Sequence, residues 1–112
     1  MSPFEIEETD QFLKDVEEAA VWILLNNIEQ SVSFAETKVH QLAADLNSLK
    51  ERLKKYPESG ETDEIQGLRK FPVYEGRYSA KWTINHANKA VILVALSDSK
   101  YPRNLRQFYT EE

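Results

Sequence analysis

Hydrophobic residues in the first half of the chain recur at helical spacing in two long segments. The first segment runs from about Gln11 to Asn27, and its apolar stripe consists of Phe12, Val16, Ala19, Ala20, Ile23 and Leu24. The second runs from Phe34 to about Lys55, and its apolar positions alternate in steps of three and four: Val39, Leu42, Leu46, Leu49 and Leu53. Two amphipathic helices with a short connection predict an antiparallel helical hairpin.

The residues beside these stripes indicate where each helix begins and which side it exposes. Thr9 or Asp10 can supply the side-chain oxygen that caps the first helix. Ser33 and Glu36 have the spacing of a capping box at the start of the second helix. The acidic residues of the first helix are expected to face away from its apolar stripe: Asp15, Glu17 and Glu18.

The second helix ends in a cluster of cations, Lys50, Arg52, Lys54 and Lys55. Cations at this end of a helix favour the negative pole of its macrodipole, and the same cluster suits a phosphate. Tyr56-Pro57 stops the helix, because proline cannot continue it. The polar segment from Pro57 to Gln66 is interpreted as a connector.

The second half of the chain alternates at the spacing of β-strands. A strand is predicted from about Leu68, and Pro72 within it predicts an edge position or a bulge, since proline cannot donate to a ladder. After a turn at Glu75-Gly76, the next strand is expected to direct an apolar set to the helices: Tyr78, Ala80, Trp82 and Ile84. Its other face is expected to meet solvent or a partner: Ser79, Lys81, Thr83 and Asn85.

Two further strands complete the predicted sheet. Ala90 to Leu96 is apolar without alternation, which predicts a strand largely covered on both faces, and His86 to Lys89 forms the turn before it. Pro3 to Glu8 alternates apolar residues with glutamates and predicts a short strand at the start of the chain. The resulting element order is β-α-α-β-β-β, in a single domain over residues 1–112.

Composition narrows the class of protein. The absence of cysteine excludes disulfides and thiolate metal sites and fits a reducing compartment. The acidic N-terminus has no apolar segment typical of a signal peptide, and no apolar run approaches the roughly 20 residues that cross a bilayer. We therefore expect a soluble, cytoplasmic protein that does not interact with membranes.

The net charge of −5 conceals a division between the two halves. Residues 1–64 hold 6 Lys/Arg and 15 Asp/Glu, a balance of −9, whereas residues 65–112 hold 8 and 4, a balance of +4. The basic half can form a local face for anions, although an ordinary solubilising surface explains the same bias.

Candidate chemistry is limited to cations and phenols. The two histidines are far apart and the glycines are isolated, so we predict neither a metal nor a cofactor. The remaining candidates lie on the predicted sheet and tail: Arg69, Lys70, Arg77, Tyr78, Lys81, Arg103, Arg106 and Tyr109. Such groups suit metal-free RNA cleavage, and they equally suit binding of an acidic protein segment.

Four features in this order resemble the RelE/ParE toxins of bacterial type II toxin–antitoxin systems. They are the helical hairpin ending in L-x-x-x-P (Leu53 to Pro57), G-L-R (Gly67 to Arg69), G-R-Y (Gly76 to Tyr78) and V-I-L-V (Val91 to Val94). The resemblance implies an α+β fold in which the hairpin packs on a curved antiparallel β-sheet. It also implies a ParE-like, plasmid-stabilising toxin that binds a macromolecular target and is neutralised by an antitoxin.

The resemblance also suggests roles for individual residues. The catalytic candidates are Arg77, Lys81 and Tyr109, and the target-binding candidates are Arg69, Lys70, Lys100, Arg103 and Arg106. RelE-like ribonucleases carry an arginine after the aromatic residue that opens the central hairpin strand, whereas here Ser79 follows Tyr78. This difference favours the ParE-like branch.

Two alternatives stay open at this point. One is a RelE-like enzyme, a ribosome-dependent endoribonuclease that cuts mRNA without a metal. The other is an inactive protein-interaction module that keeps the fold. The expected partners are the antitoxin, DNA gyrase or the ribosome with its mRNA, and the chain could also form a homodimer.

Overall fold

The structure is a computed structural model, and it describes residues 3–63 and 67–99. Within these residues, seven elements follow one another: β1 (Glu5–Glu8), α1 (Asp10–Asn27), α2 (Val32–Lys55), β2 (Glu61–Asp63), β3 (Leu68–Val73), β4 (Tyr78–Asn85) and β5 (Ala90–Asp98).

The strands form one five-stranded sheet in the order β1-β5-β4-β3-β2. The predicted α+β class is confirmed, but two details of the predicted sheet were wrong. β2 lies within the segment interpreted as a connector, where Glu61–Asp63 pairs with the first half of β3. In addition, β1 pairs with β5 in parallel, whereas all other pairs are antiparallel.

The helix boundaries lie within two residues of the predicted ones. Thr9 caps α1, because its Oγ1 accepts a hydrogen bond from the Phe12 backbone N–H at 3.0 Å. The predicted capping box at Ser33 was wrong: α2 begins earlier, and the Oγ of Ser31 accepts from the Phe34 N–H at 2.9 Å.

The core lies between the helical hairpin and one face of the sheet. Its largest fully buried side chains are Trp82, Phe12, Ile23, Leu42, Leu53, Leu93 and Val91. Tyr78, Ala80 and Trp82 are buried in this layer, as the alternation along β4 predicted. Pro72 is exposed and lies beyond the end of β2, which is the predicted edge position.

The outer edge of β5 changes its partner halfway along the strand. β1 pairs with Ala90 to Leu93 and then ends. Thr9 follows directly: its N–H donates to the Leu93 carbonyl at 3.1 Å, and its Oγ1 lies 3.0 Å from the Val94 carbonyl. Further along, the Leu96 N–H donates to Oδ2 of Asp15 at 3.0 Å. Side chains of α1 and its cap thus replace the missing strand.

Asp15 corrects the expectation that the acidic residues of α1 all face away from the core. It is only 3% exposed, and its other carboxylate oxygen accepts from Gln11 Nε2 at 2.8 Å. A carboxylate can be buried here because it meets backbone and side-chain donors at the sheet edge.

The register between β4 and β5 shifts at the same level of the sheet. Lys81 pairs with Ala95 and Trp82 pairs with Leu93, so Val94 is an extra residue on β5. Such a bulge bends a strand and increases its twist. Here it lies where β1 ends and the cap of α1 begins.

Within the described residues, neither helix is long and apolar enough to cross a membrane.

Replacing Asp15 is expected to destabilise the protein. Asp15→Ala leaves the buried Leu96 N–H without its acceptor, so the free energy of unfolding should fall by about 1–3 kcal/mol. Urea unfolding measures this loss, and the exposed Glu17→Gln on the same helix is the control. If the two variants are equally stable, the carboxylate does not support the edge of β5.

Candidate functional site

The register of the sheet separates the predicted site residues into two groups. Arg69 is paired with the core residue Trp82, so it lies on the helix side of the sheet. Lys70 and Lys81 are paired with each other and lie on the opposite face. Lys100, Arg103, Arg106 and Tyr109 lie outside the described residues.

Lys81 is largely buried, although its face was expected to meet solvent or a partner. Its exposed fraction is 7%, and its neighbour across the ladder on β5, Ala95, is fully buried. Lys70 lies beside it on β3, and Glu61 faces Lys70 from β2. Two lysines on adjacent strands create a local positive potential, which the glutamate partly offsets.

Arg77 is the last residue of the turn before β4, and its side chain contacts β5 and α1. Its guanidinium forms two bonds with the Asp98 carboxylate of β5, both 3.2 Å long. The same guanidinium stacks over the ring of Trp22 on α1, 4.1 Å from the ring centre. This arrangement makes Arg77 a link between the turn, the sheet and the first helix.

Two tyrosine side chains, those of Tyr74 and Tyr78, lie near Arg77. The rings of Tyr74 and Tyr78 lie 6.2 Å apart. Burial raises the pKa of both side chains above the usual value of 10.0, and nearby carboxylates, Glu75 for Tyr74 and Asp98 for Tyr78, raise it further, while Arg77 opposes the effect. The phenols therefore stay protonated and can act as hydrogen-bond donors.

Arg69 holds the loop after α2. Its Nη1 donates to the Glu58 carbonyl at 2.9 Å. Trp82 fastens the same loop from the core, because its Nε1 donates to the Pro57 carbonyl at 2.9 Å. Two predicted cations, Arg69 and Arg77, therefore have structural contacts of their own.

A groove lies beyond these contacts at the C-terminal end of α2, and we call it the helix-end groove. Its volume is about 740 Å³, and the residues that define it here are Phe4, Arg52, Lys55, Tyr56, Glu58 and His86. The cation cluster at the end of α2 was the sequence signal for it. The contributions of Phe4 and His86 could not be read from the sequence, because one directly precedes β1 and the other lies in the turn after β4.

A second surface was missed altogether. Large apolar side chains are exposed along one side of α1 and into the start of α2, and we call this surface the hairpin patch: Leu13, Val21, Leu25, Ile28 and Val32. The continuous apolar run from Ala19 to Leu25 is wider than one buried stripe requires, and it was the available signal. Exposed apolar surface of this kind marks interaction sites.

No cluster of three or more His, Asp or Glu side chains that could hold a metal ion occurs in residues 3–63 and 67–99.

Alkaline pH is expected to destabilise the protein through Tyr74 and Tyr78. Because the pKa of each phenol is raised in the fold, the unfolded chain releases these protons first as the pH rises. Their contribution is present below about pH 10 and is lost as the pH rises through the folded-state pKa values. The variant with Tyr74→Phe and Tyr78→Phe should therefore show a shallower loss of unfolding free energy above about pH 10. Urea unfolding at several pH values measures this, and an unchanged slope would contradict it.

Comparison with known proteins shows which other proteins share this fold. A search with the sequence finds no matching family model and no matching curated protein. Among solved structures, a chain of the chromosomal ParDE toxin–antitoxin system from P. aeruginosa is similar, with a TM-score of 0.60. The two chains are 14% identical, and the match covers 85% of this chain and 95% of that chain. This chain therefore shares the fold of that chain of the ParDE system.

Proposed function

We propose that this protein is the toxin component of a type II toxin–antitoxin system of the ParE-like, plasmid-stabilising kind. It acts by binding a macromolecular target in the cytoplasm and is neutralised by an antitoxin. The observation that carries the proposal is the likeness in fold to a chain of a ParDE system, which extends over 85% of this chain. We further propose that residues 1–112 form one domain.

The hairpin patch supports the existence of a protein partner. Leu25 is 63% exposed and Val32 is 56% exposed, so both sides of the connection between the helices present apolar surface to solvent. A partner helix or extended segment would remove this surface from water. Under the proposal, that partner is the antitoxin.

The sheet supports target binding more than RNA cleavage. Metal-free cleavage needs several proton donors and cations gathered around one phosphate. Arg77 is engaged with Asp98 and Trp22, and Lys81 lies four residues further along β4, roughly 13 Å away at the rise of a strand. We propose that Lys70 and Lys81 contact the target together with the tail cations Lys100, Arg103 and Arg106. Arg69, predicted to join them, lies on the helix side of the sheet and holds the loop after α2 instead.

Expression of the protein alone in bacteria is expected to stop growth. Co-expression of the antitoxin, encoded beside the toxin gene, should restore it. Lys70→Glu should reduce toxicity, because it reverses the charge on the proposed target face without changing the core. Immunoblotting verifies that the variants are expressed at equal levels. Normal growth with abundant, folded protein would overturn the proposal.

The arrested cells also distinguish the target. Gyrase poisoning predicts broken DNA with intact mRNA, whereas the ribonuclease alternative predicts cut mRNA on translating ribosomes. Cut mRNA without DNA damage would replace the ParE-like assignment with the RelE-like one.

Leu25→Glu is expected to separate toxicity from neutralisation. A charge in the hairpin patch should weaken antitoxin binding at least about tenfold, because it must be desolvated in an apolar interface. Toxicity should persist, since Leu25 is distant from the sheet face that carries Lys70. Titration calorimetry with the purified antitoxin measures the change, and the matched control is Ala87→Glu, which adds the same charge at an exposed position in the turn between β4 and β5. Unchanged affinity would place the antitoxin elsewhere on the toxin.

A further inference from the structure

The helix-end groove presents two cations, Arg52 and Lys55, that form no ion pair within residues 3–63 and 67–99. The Lys54 carbonyl accepts from the Phe4 N–H at 2.9 Å, and the Tyr56 carbonyl accepts from Ser59 Oγ at 2.8 Å. Trp82 and Arg69 supply donors to the next two carbonyls of the loop. The carbonyl of Lys54 and those of the three loop residues after α2, Tyr56 to Glu58, thus have donors other than Arg52 and Lys55.

Arg52 and Lys55 are exposed beside these carbonyls. Arg52 is positioned by Ser59, whose Oγ accepts from its Nε at 3.3 Å, and by the ring of Phe71, 5.3 Å below its guanidinium. Its two terminal nitrogens make no hydrogen bond within residues 3–63 and 67–99. Lys55 makes neither a hydrogen bond nor an ion pair there. Spaced by three residues, the two cations point to one side of the helix.

An aromatic ring completes the arrangement. Tyr56 is 65% exposed, follows α2 directly as its C-cap residue and lines the same groove as both cations. Exposed aromatic rings next to cations are the components that stack bases and hold phosphates. An inorganic anion has no base to stack on the ring, so the ring favours a ligand that carries both a phosphate and a base.

The walls of the groove are fixed before any ligand binds. Pro57 and Glu58 are held by Trp82 and Arg69, and Gly60, which follows the groove residue Ser59, packs so closely that a Cβ there would clash with the Lys70 carbonyl oxygen. A preformed groove loses little conformational entropy on binding. Its volume of about 740 Å³ is in the range of small-molecule sites.

We propose that the helix-end groove binds a nucleotide, with its phosphate between Arg52 and Lys55 and its base against the ring of Tyr56. The nucleotide is either free or part of a single strand, since both present the same phosphate and base. Glu58 on the opposite wall opposes anion binding, and its carboxylate lies 3.8 Å from His86 Nε2. This proposal is independent of toxicity, because the groove is separate from the proposed target face.

The test is titration of the full chain with ADP and, separately, with a short oligothymidylate at low salt. Arg52→Gln and Lys55→Gln should each weaken binding about tenfold or more, as expected for loss of a charge-assisted contact. Tyr56→Ala should weaken binding, whereas Tyr56→Phe should retain it. Glu58→Gln should tighten binding. Lys14→Gln, an exposed lysine on α1, is the control and should change nothing.

The two probes distinguish the sources of the ligand. Binding of ADP indicates a free nucleotide, and binding of the oligothymidylate alone indicates a strand. The proposal is overturned if neither binds, if inorganic phosphate binds as tightly as ADP, or if Lys14→Gln weakens binding as much as Arg52→Gln. Circular dichroism verifies that each variant is folded, and the growth assay of these variants reports separately on toxicity.

Discussion

The backbone groups along the outer edge of β5 need hydrogen-bond partners, and the residues that supply them determine how the helices attach to the sheet. Buried backbone groups need hydrogen-bond partners. β1 supplies them only as far as Leu93, and Thr9 and Asp15 supply them beyond that point. The first helix is therefore fastened to the sheet by polar contacts at its start as well as by the core below it. The bulge at Val94 falls where one kind of closure gives way to the other.

A similar principle operates at the other end of the sheet. Trp82 fills the core and also fixes the loop after α2 through the Pro57 carbonyl, while Arg69 fixes the next carbonyl of that loop. A cation that the sequence suggests as a site residue, such as Arg69, can thus have a structural role. Arg52 and Lys55 are available to a ligand, because the nearby carbonyls of Lys54 and of the loop after α2 already have other donors.

Much of this fold could be predicted from residue spacing. Periodicity defined both helices and β4, since each buries one face, whereas β5 was recognised by an apolar run without alternation. β2 could not be predicted, because its polar residues Glu61 and Thr62 are held by backbone pairing with β3. The burial of Asp15 depends on an N–H group 81 residues away. The candidate site was less predictable, since residue type does not reveal that Arg77 is bound to Asp98 or that Lys81 is buried.

The contacts of Thr9 also constrain the order in which the protein folds. Thr9 and the carbonyl of Leu93 are 84 residues apart, whereas β3, β4 and β5 are joined by short turns. Closing so long a loop carries a large entropic cost before any contact offsets it. β3, β4 and β5 can pair through contacts between neighbouring segments. β1 can join them only after Leu93 has left the ribosome. During synthesis, the outer edge of the sheet thus remains open until the chain has been made beyond Leu93.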